Sequence, residues 1–182
     1  MISLYILKKS PLFSGIDADQ LQSLLTCLSA IEKKYDKNEM ILKQGDPIDS
    51  MGLVMSGHIH VVKDDFWGNR TILSDVAPSQ MFAESFSCSE NQDLSVSVIA
   101  VEPTSVLFLD IKRLLNTCPS SCTFHTRLIQ NLLSILAEKN LMLTGKIDHI
   151  TKRTIREKVL SYLSAQSLKA ESEKFEIPFN RQ

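Results

Sequence analysis

"HIHVVKDDFWGNRTILSDV", residues 58–76, decides how this chain folds. Two runs rich in β-branched residues, "HIHVVK" and "TILSDV", flank "DDFWGN", whose Gly68-Asn69 can supply the positive backbone angles of a hairpin loop. The two runs are expected to pair as antiparallel strands. His58 and His60 alternate with Ile59 and Val61, which places both imidazoles on one face. Polar-out, apolar-in alternation makes that face a solvated one, with haem or metal ligation as the alternative. Trp67, at the hairpin tip, is expected to clamp a neighbouring loop or a partner. The same texture extends from residue 30 to residue 110: short runs of Val, Ile, Leu and Met broken by "YDKNE", "QGDPIDS", "MSGH" and "VAPSQ". Short strands punctuated in this way argue for an antiparallel sandwich or barrel.

Outward from this block, the 182 residues are 43% hydrophobic, enough for a real core, and carry a formal net charge of −1. Balanced charge points to neither nucleic acid nor an acidic partner over the whole chain. No apolar run approaches the roughly 20 residues of a membrane span. "MISLYILKKS" places its lysines after a very short apolar run, unlike a secretory leader, so the four cysteines are expected in a reducing cytoplasm and the protein is expected to be soluble, with no membrane partner. From Ser10 to Ser29, apolar residues at helical spacing follow Asp17 and Asp19, predicting a short amphipathic opening helix.

Beyond Pro119 the pattern turns helical. Ile129, Leu133, Leu136, Asn140, Leu143, Ile147 and Ile150 step by 4, 3, 4, 3, 4, 3, a heptad seam with one asparagine in an a-type place. Such an asparagine weakens a coiled coil but pairs with its twin, favouring two parallel strands in register, so a homodimer is expected through this seam. Leu128, Leu132 and Ile135 form a second stripe suited to packing on the chain's own barrel. A further amphipathic helix follows in "TKRTIREKVLSYLSAQSL", with Ile155, Val159, Tyr162 and Leu163 on one face and Lys152, Arg153, Arg156 and Lys158 around it. In "FEIPFNRQ", a short apolar strand precedes Asn180, a helix-cap residue whose helix lies beyond the last residue, so the sequence reads as stopping in mid-domain.

The order of opening helix, roll, long helix, basic helix and "IPFNRQ" resembles the Crp/Fnr (catabolite activator/FNR) family of bacterial transcription regulators. "PLFSGIDADQLQSLL", "ILKQGDPIDSMGLVMSGHIHVV" and "RTIREKVLSYL…FEIPFNRQ" carry the likeness, in that order and over essentially the whole chain. The resemblance implies a mainly β fold with helices: a double-stranded β-helix, jelly-roll-like sensor domain over 1–118, a dimerisation helix over 119–150, and over 151–182 a hinge and the truncated start of a winged helix-turn-helix domain. It also implies promoter DNA and RNA polymerase as partners of a full-length protein. This chain, lacking a recognition helix, is not expected to bind specific DNA.

In cyclic-nucleotide-binding members, the loop equivalent to "MFAESFSCSENQDLSVSVIA" (81–100) supplies a glycine and amides close to the phosphate, a glutamate to the ribose, and an arginine that forks onto the phosphate oxygens. Here Glu84 and Ser95 remain, while Ala83 stands for the glycine and Leu94 for the arginine. Burying a phosphate without its cation costs several kcal/mol, and Asp93 beside Leu94 adds repulsion, which argues against cyclic AMP or cyclic GMP. Phe82, Leu94 and Val96 as apolar wall, with Ala83, Glu84, Ser85 and Ser95, suit a small neutral or cationic effector. The alternative is a loop that has filled its own cavity and binds nothing.

Cys118 and Cys122 in "CPSSCTFH" share a helical face with His125 and form a candidate redox or metal set. FNR-type iron–sulfur sensors use an N-terminal cysteine set, and no cysteine precedes Cys27, so a cluster of that kind is not expected. No nucleophile–base spacing, metalloprotease motif or P-loop is present, and Glu84 is a lone carboxylate, so neither enzymatic activity nor a cofactor is expected. A cupin-like metal enzyme is the rival roll, but His58 and His60 lack the accompanying glutamate and distant histidine.

Overall fold

The computed structural model describes residues 4–89, 93–115 and 123–177. Helix α1 (Leu4–Lys9) and a 3-10 turn (Pro11–Phe13) precede α2 (Ala18–Cys27). The opening helix expected over Ser10–Ser29 is thus shorter: Pro11 begins the 3-10 turn, and Asp17 caps α2, its N–H donating to Gln20 Oε1 at 3.2 Å. Leu21, Leu24 and Leu25 turn the apolar stripe of α2 inward.

Eight strands follow among the described residues: β1 (Ile31–Tyr35), β2 (Met40–Leu42), β3 (Ser50–Ser56), β4 (Ile59–Asp64), β5 (Arg70–Val76), β6 (Met81–Phe82), β7 (Ser97–Ala100) and β8 (Thr104–Asp110). They form two four-stranded antiparallel sheets, ordered β1-β8-β3-β6 and β2-β7-β4-β5, which is the expected jelly-roll sandwich. Ile41, Val54, Ile59, Val76, Val98, Ala100 and Val106 pack with Phe82 into one buried cluster.

The hairpin read from residues 58–76 forms, with Ile59 opposite Val76 and Asp64 opposite Arg70. Its turn differs in detail. Gly68 alone of the expected pair takes a positive φ, +83°. Asn69 is held instead by its side chain, which donates to Asp65 Oδ2 at 2.9 Å, while Asp65 Oδ1 accepts the backbone N–H groups of Trp67 and Asn69. This self-contained tip turns Trp67 outward, 82% exposed and edge-on to Phe66, in place of the clamp on a neighbouring loop. Below the tip, Arg70 forks onto Asp64 with two 2.8 Å hydrogen bonds. Opposite Val61 and Val62 the register shifts by one residue, Leu73 being the extra residue of β5, and on β4 Ile59 and Val62 are the buried residues. β5 is an edge strand, exposed at every residue but Val76.

Gly52 on β3 pairs with Phe82 on β6, and a Cβ at residue 52 would lie 2.1 Å from Phe82 Cζ. The ring therefore occupies the place of a side chain, packed edge-on against Phe108.

After β8, α4 (Ile111–Leu115) leads to α5 (Thr123–Ile150) and α6 (Ile155–Ala170). The described chain falls into two compact units, residues 1–135 and 136–182. The first extends past the expected sensor boundary because Leu128 and Leu132 of α5 are buried and Asn131 Nδ2 donates to Leu12 O and Ser14 O, both at 2.9 Å. In the second unit, α6 begins at a capping box: Thr154 Oγ1 accepts from Glu157 N–H, and the Glu157 carboxylate accepts from Thr154 N–H. His149 and Ser161 hydrogen-bond at 2.8 Å within that unit. Among the described residues, no helix is long and apolar enough to cross a membrane.

Replacing Gly52 by Ala should lower stability by about 1–3 kcal/mol, because the added methyl displaces the Phe82 ring. Urea unfolding of Gly52→Ala and of Gly52→Ala/Phe82→Leu checks this. The double variant should recover part of the loss, and an unchanged midpoint in the single variant would show that the ring yields freely.

Candidate functional site

The stretch from residue 81 to residue 97 is built on the Phe82–Gly52 contact. β6 ends at Phe82, and the chain reverses at Ala83, which adopts the left-handed conformation at φ 61°, ψ 7° before α3 (Glu84–Ser87). A non-glycine residue there carries strain of roughly 1 kcal/mol, so the backbone retains a turn that glycine would make more cheaply. Ser87 ties the short helix down, its hydroxyl donating to Ala83 O at 2.9 Å and to Glu84 O at 3.2 Å.

Glu84 is only 4% exposed, with Ser85 Oγ donating to its Oε1 at 3.4 Å. Its charge is felt one turn on: burial first, and the Glu84 carboxylate second, push the Cys88 thiol above its ordinary range. Across the site, Leu94 is 2% exposed and fixed by backbone bonds, its N–H donating to Asp46 O at 3.1 Å and its carbonyl accepting from Gly45 N–H at 2.8 Å. Ser97 Oγ accepts from Gln44 N–H at 3.0 Å, joining the same turn to β7. The sequence-nominated residues thus divide. Phe82, Glu84, Leu94 and Val96 are buried, Ala83 is partly so, and Ser85 and Ser95 are exposed. Phe82 belongs to the sandwich core, and Leu94 places a buried alkyl group across from Glu84's loop.

Of the seam residues, Leu133 is 60% exposed in the single chain and Leu143 53% exposed; Ile147, Ile150 and Asn140 are exposed as well, with Ile129 and Leu136 partly so. The second stripe is buried at Leu128 and Leu132 and partly covered at Ile135.

Cys118 and Cys122 lie outside the described residues. Their proposed companion His125 meets a different thiol: Cys27 Sγ, at the end of α2, is 3.5 Å from His125 Nε2. Sequence reading passed over this contact, which joins residues 98 positions apart with no motif to link them. His58 sits in the turn before β4 and faces Glu102 at 2.8 Å, while His60 faces Asp75 at 3.6 Å. Each imidazole has its own exposed carboxylate, and among the described residues no three potential metal ligands converge.

Residues 32–121 match the family described as cyclic nucleotide-binding domain. The Cyclic AMP receptor protein of Thermus thermophilus is 29% identical over 103 residues, 57% of this chain and 46% of that protein. Glutaminase 1 of Bradyrhizobium diazoefficiens is 26% identical over 145 residues, 80% of this chain and 22% of that protein. The chain therefore spans less than half the length of these curated relatives. Among solved structures, the sensor domain of the transcriptional regulator DNR from Pseudomonas aeruginosa aligns with a TM-score of 0.60 at 22% identity, covering 83% of this chain and 95% of that one, a likeness of fold.

Ala83→Gly should raise stability by about 0.5 kcal/mol, the relief of the left-handed alanine exceeding the added entropy of the unfolded chain. Denaturant midpoints check this, and a lower midpoint would mean that the Ala83 methyl packs usefully.

Proposed function

We propose that this chain, whose residues 32–121 match the cyclic nucleotide-binding domain family, is the effector-sensing and dimerising part of a Crp/Fnr-type transcription regulator that answers to a small molecule other than cyclic AMP. The observation that carries this reading is the divided site. The reversed backbone at Ala83 and the buried Glu84 keep the frame of a ligand loop, while buried Leu94 stands where the resemblance calls for a phosphate-binding arginine. A frame with a carboxylate and an alkyl wall favours a neutral or cationic effector over an anion. The chain is read as regulatory and not catalytic.

The exposed seam of α5 supports a homodimer. Leu133, Leu143, Ile147 and Ile150 repeat at coiled-coil spacing with Asn140 in register, and a second copy of α5 would cover them. Output follows from differential binding: an effector that favours one packing of the seam around Asn140 and Leu143 shifts the population, and the segment from Asp148 to Thr151 acts as the hinge toward DNA-binding domains in a full-length protein. Promoter DNA and RNA polymerase are partners of that whole protein. Lys152, Arg153, Arg156 and Lys158 alone supply only weak phosphate contacts.

Burial of Phe82, Glu84, Leu94 and Val96 together favours a second reading, in which the loop has filled its cavity and the roll regulates without a ligand. A thermal-shift screen against cyclic AMP, cyclic GMP and a panel of small phenols, acids and amines separates the two. A rise with a neutral or cationic compound and none with either nucleotide is expected, since a ligand of the folded state must stabilise it. A rise with cyclic AMP would overturn the reading of Leu94, and silence throughout would favour the filled roll.

Leu94→Arg with Ala83→Gly should create cyclic-nucleotide binding measurable by calorimetry, whereas continued silence would count against the pocket assignment. For the seam, Leu143→Glu should weaken self-association at least about tenfold in sedimentation experiments while leaving the melting of the roll unchanged, because Leu143 is half exposed in the single chain. Equal association would place the dimer elsewhere.

A further inference from the structure

The contact between α2 and the first turn of α5 is chemically unusual for a packing interface. Cys27 is the last residue of α2 and is partly exposed, whereas His125 behind it is only 7% exposed. His125 Nε2 lies 3.5 Å from Cys27 Sγ, and His125 Nδ1 is buried with no hydrogen-bond partner. A proton on Nδ1 would be an orphaned buried donor, which is costlier than a bare ring lone pair. The proton is therefore held on Nε2, directed at sulfur. A thiol accepts such a bond weakly and a thiolate strongly, so the imidazole N–H is placed to support a thiolate on a residue that is partly exposed.

We propose that Cys27 is a peroxide-reactive thiol, positioned by His125, at the joint between α2 and α5. In the reaction, the thiolate attacks one oxygen of hydrogen peroxide, the O–O bond breaks as the S–O bond forms, and hydroxide leaves to take a proton from solvent. Sulfur is oxidised by two electrons to the sulfenic acid and the peroxide is reduced to water. The added oxygen enters the contact beside His125, one turn before buried Leu128, so oxidation acts on the packing of α5 against the N-terminal helices. This inference stands apart from the effector reading, since it uses neither Leu94 nor the seam.

The chain carries its own reference in Cys88, whose thiol burial and Glu84 hold in the unreactive form. Reduced full-length chain is dosed with hydrogen peroxide at neutral pH, quenched with iodoacetamide, and the surviving thiol at each position is read by peptide mass spectrometry. Cys27 should be consumed at least about tenfold faster than Cys88. His125→Gln should slow Cys27 toward the Cys88 rate and leave Cys88 unchanged. Consumption of Cys27 no faster than Cys88 would overturn the proposal even if the variant failed to fold, as would an unaltered Cys27 rate in a folded His125→Gln protein.

Discussion

The packing of the Phe82 ring into the space left by Gly52 is the constraint on which the loop after β6 depends. An aromatic ring within reach of backbone leaves room for hydrogen and nothing larger at residue 52, which fixes β6 on β3 in one register. From that fixed point the chain has one residue in which to reverse before α3, and Ala83 accepts a left-handed conformation to do so. The strain is local and small; what it secures is the direction of Glu84, which points into the protein although it is a carboxylate. The polarity of the site thus follows from a steric fact two residues earlier.

The two halves of the proposed regulator ask different things of α5. Its stripe at Leu128 and Leu132, with the Asn131 amide spanning two carbonyls of the N-terminal segment, anchors the helix to the roll unit. Its other stripe is free for a partner. Charge contributes little to this arrangement, because the ion pairs of the described residues sit at the surface, where solvent screens them.

Local signals in the sequence were legible where one residue type determines one backbone event. Gly68 marked the hairpin, the spacing of apolar residues from Ile129 onward marked a long helix, and the punctuation from residue 30 to residue 110 marked the sandwich. What escaped were contacts made across the fold. No periodicity links Cys27 to His125 or Gly52 to Phe82, and the amide of Asn131 gives no hint in sequence of the carbonyls it will meet. Helix α1 escaped for another reason: with six residues and one buried side chain, Leu7, it is too short for an apolar period to declare itself. Asn69 shows a subtler failure, a turn residue that works through its side chain and not its φ angle.

The edge strand β5 bears on how the protein behaves when crowded with copies of itself. Its outer backbone groups face solvent, and such an edge is a template for pairing with another chain. Here the exposed Ile72 and Leu73 fall at the register shift, where Leu73 is the extra residue with no register partner on β4, so the ladder is interrupted at the most apolar point of the strand. Arg70 and Asp75 place opposite charges near its two ends, and the bulge at Leu73 twists the ribbon out of the flat geometry that fibrils require. The strand is thereby left open to water while its ladder offers another chain a short and interrupted template.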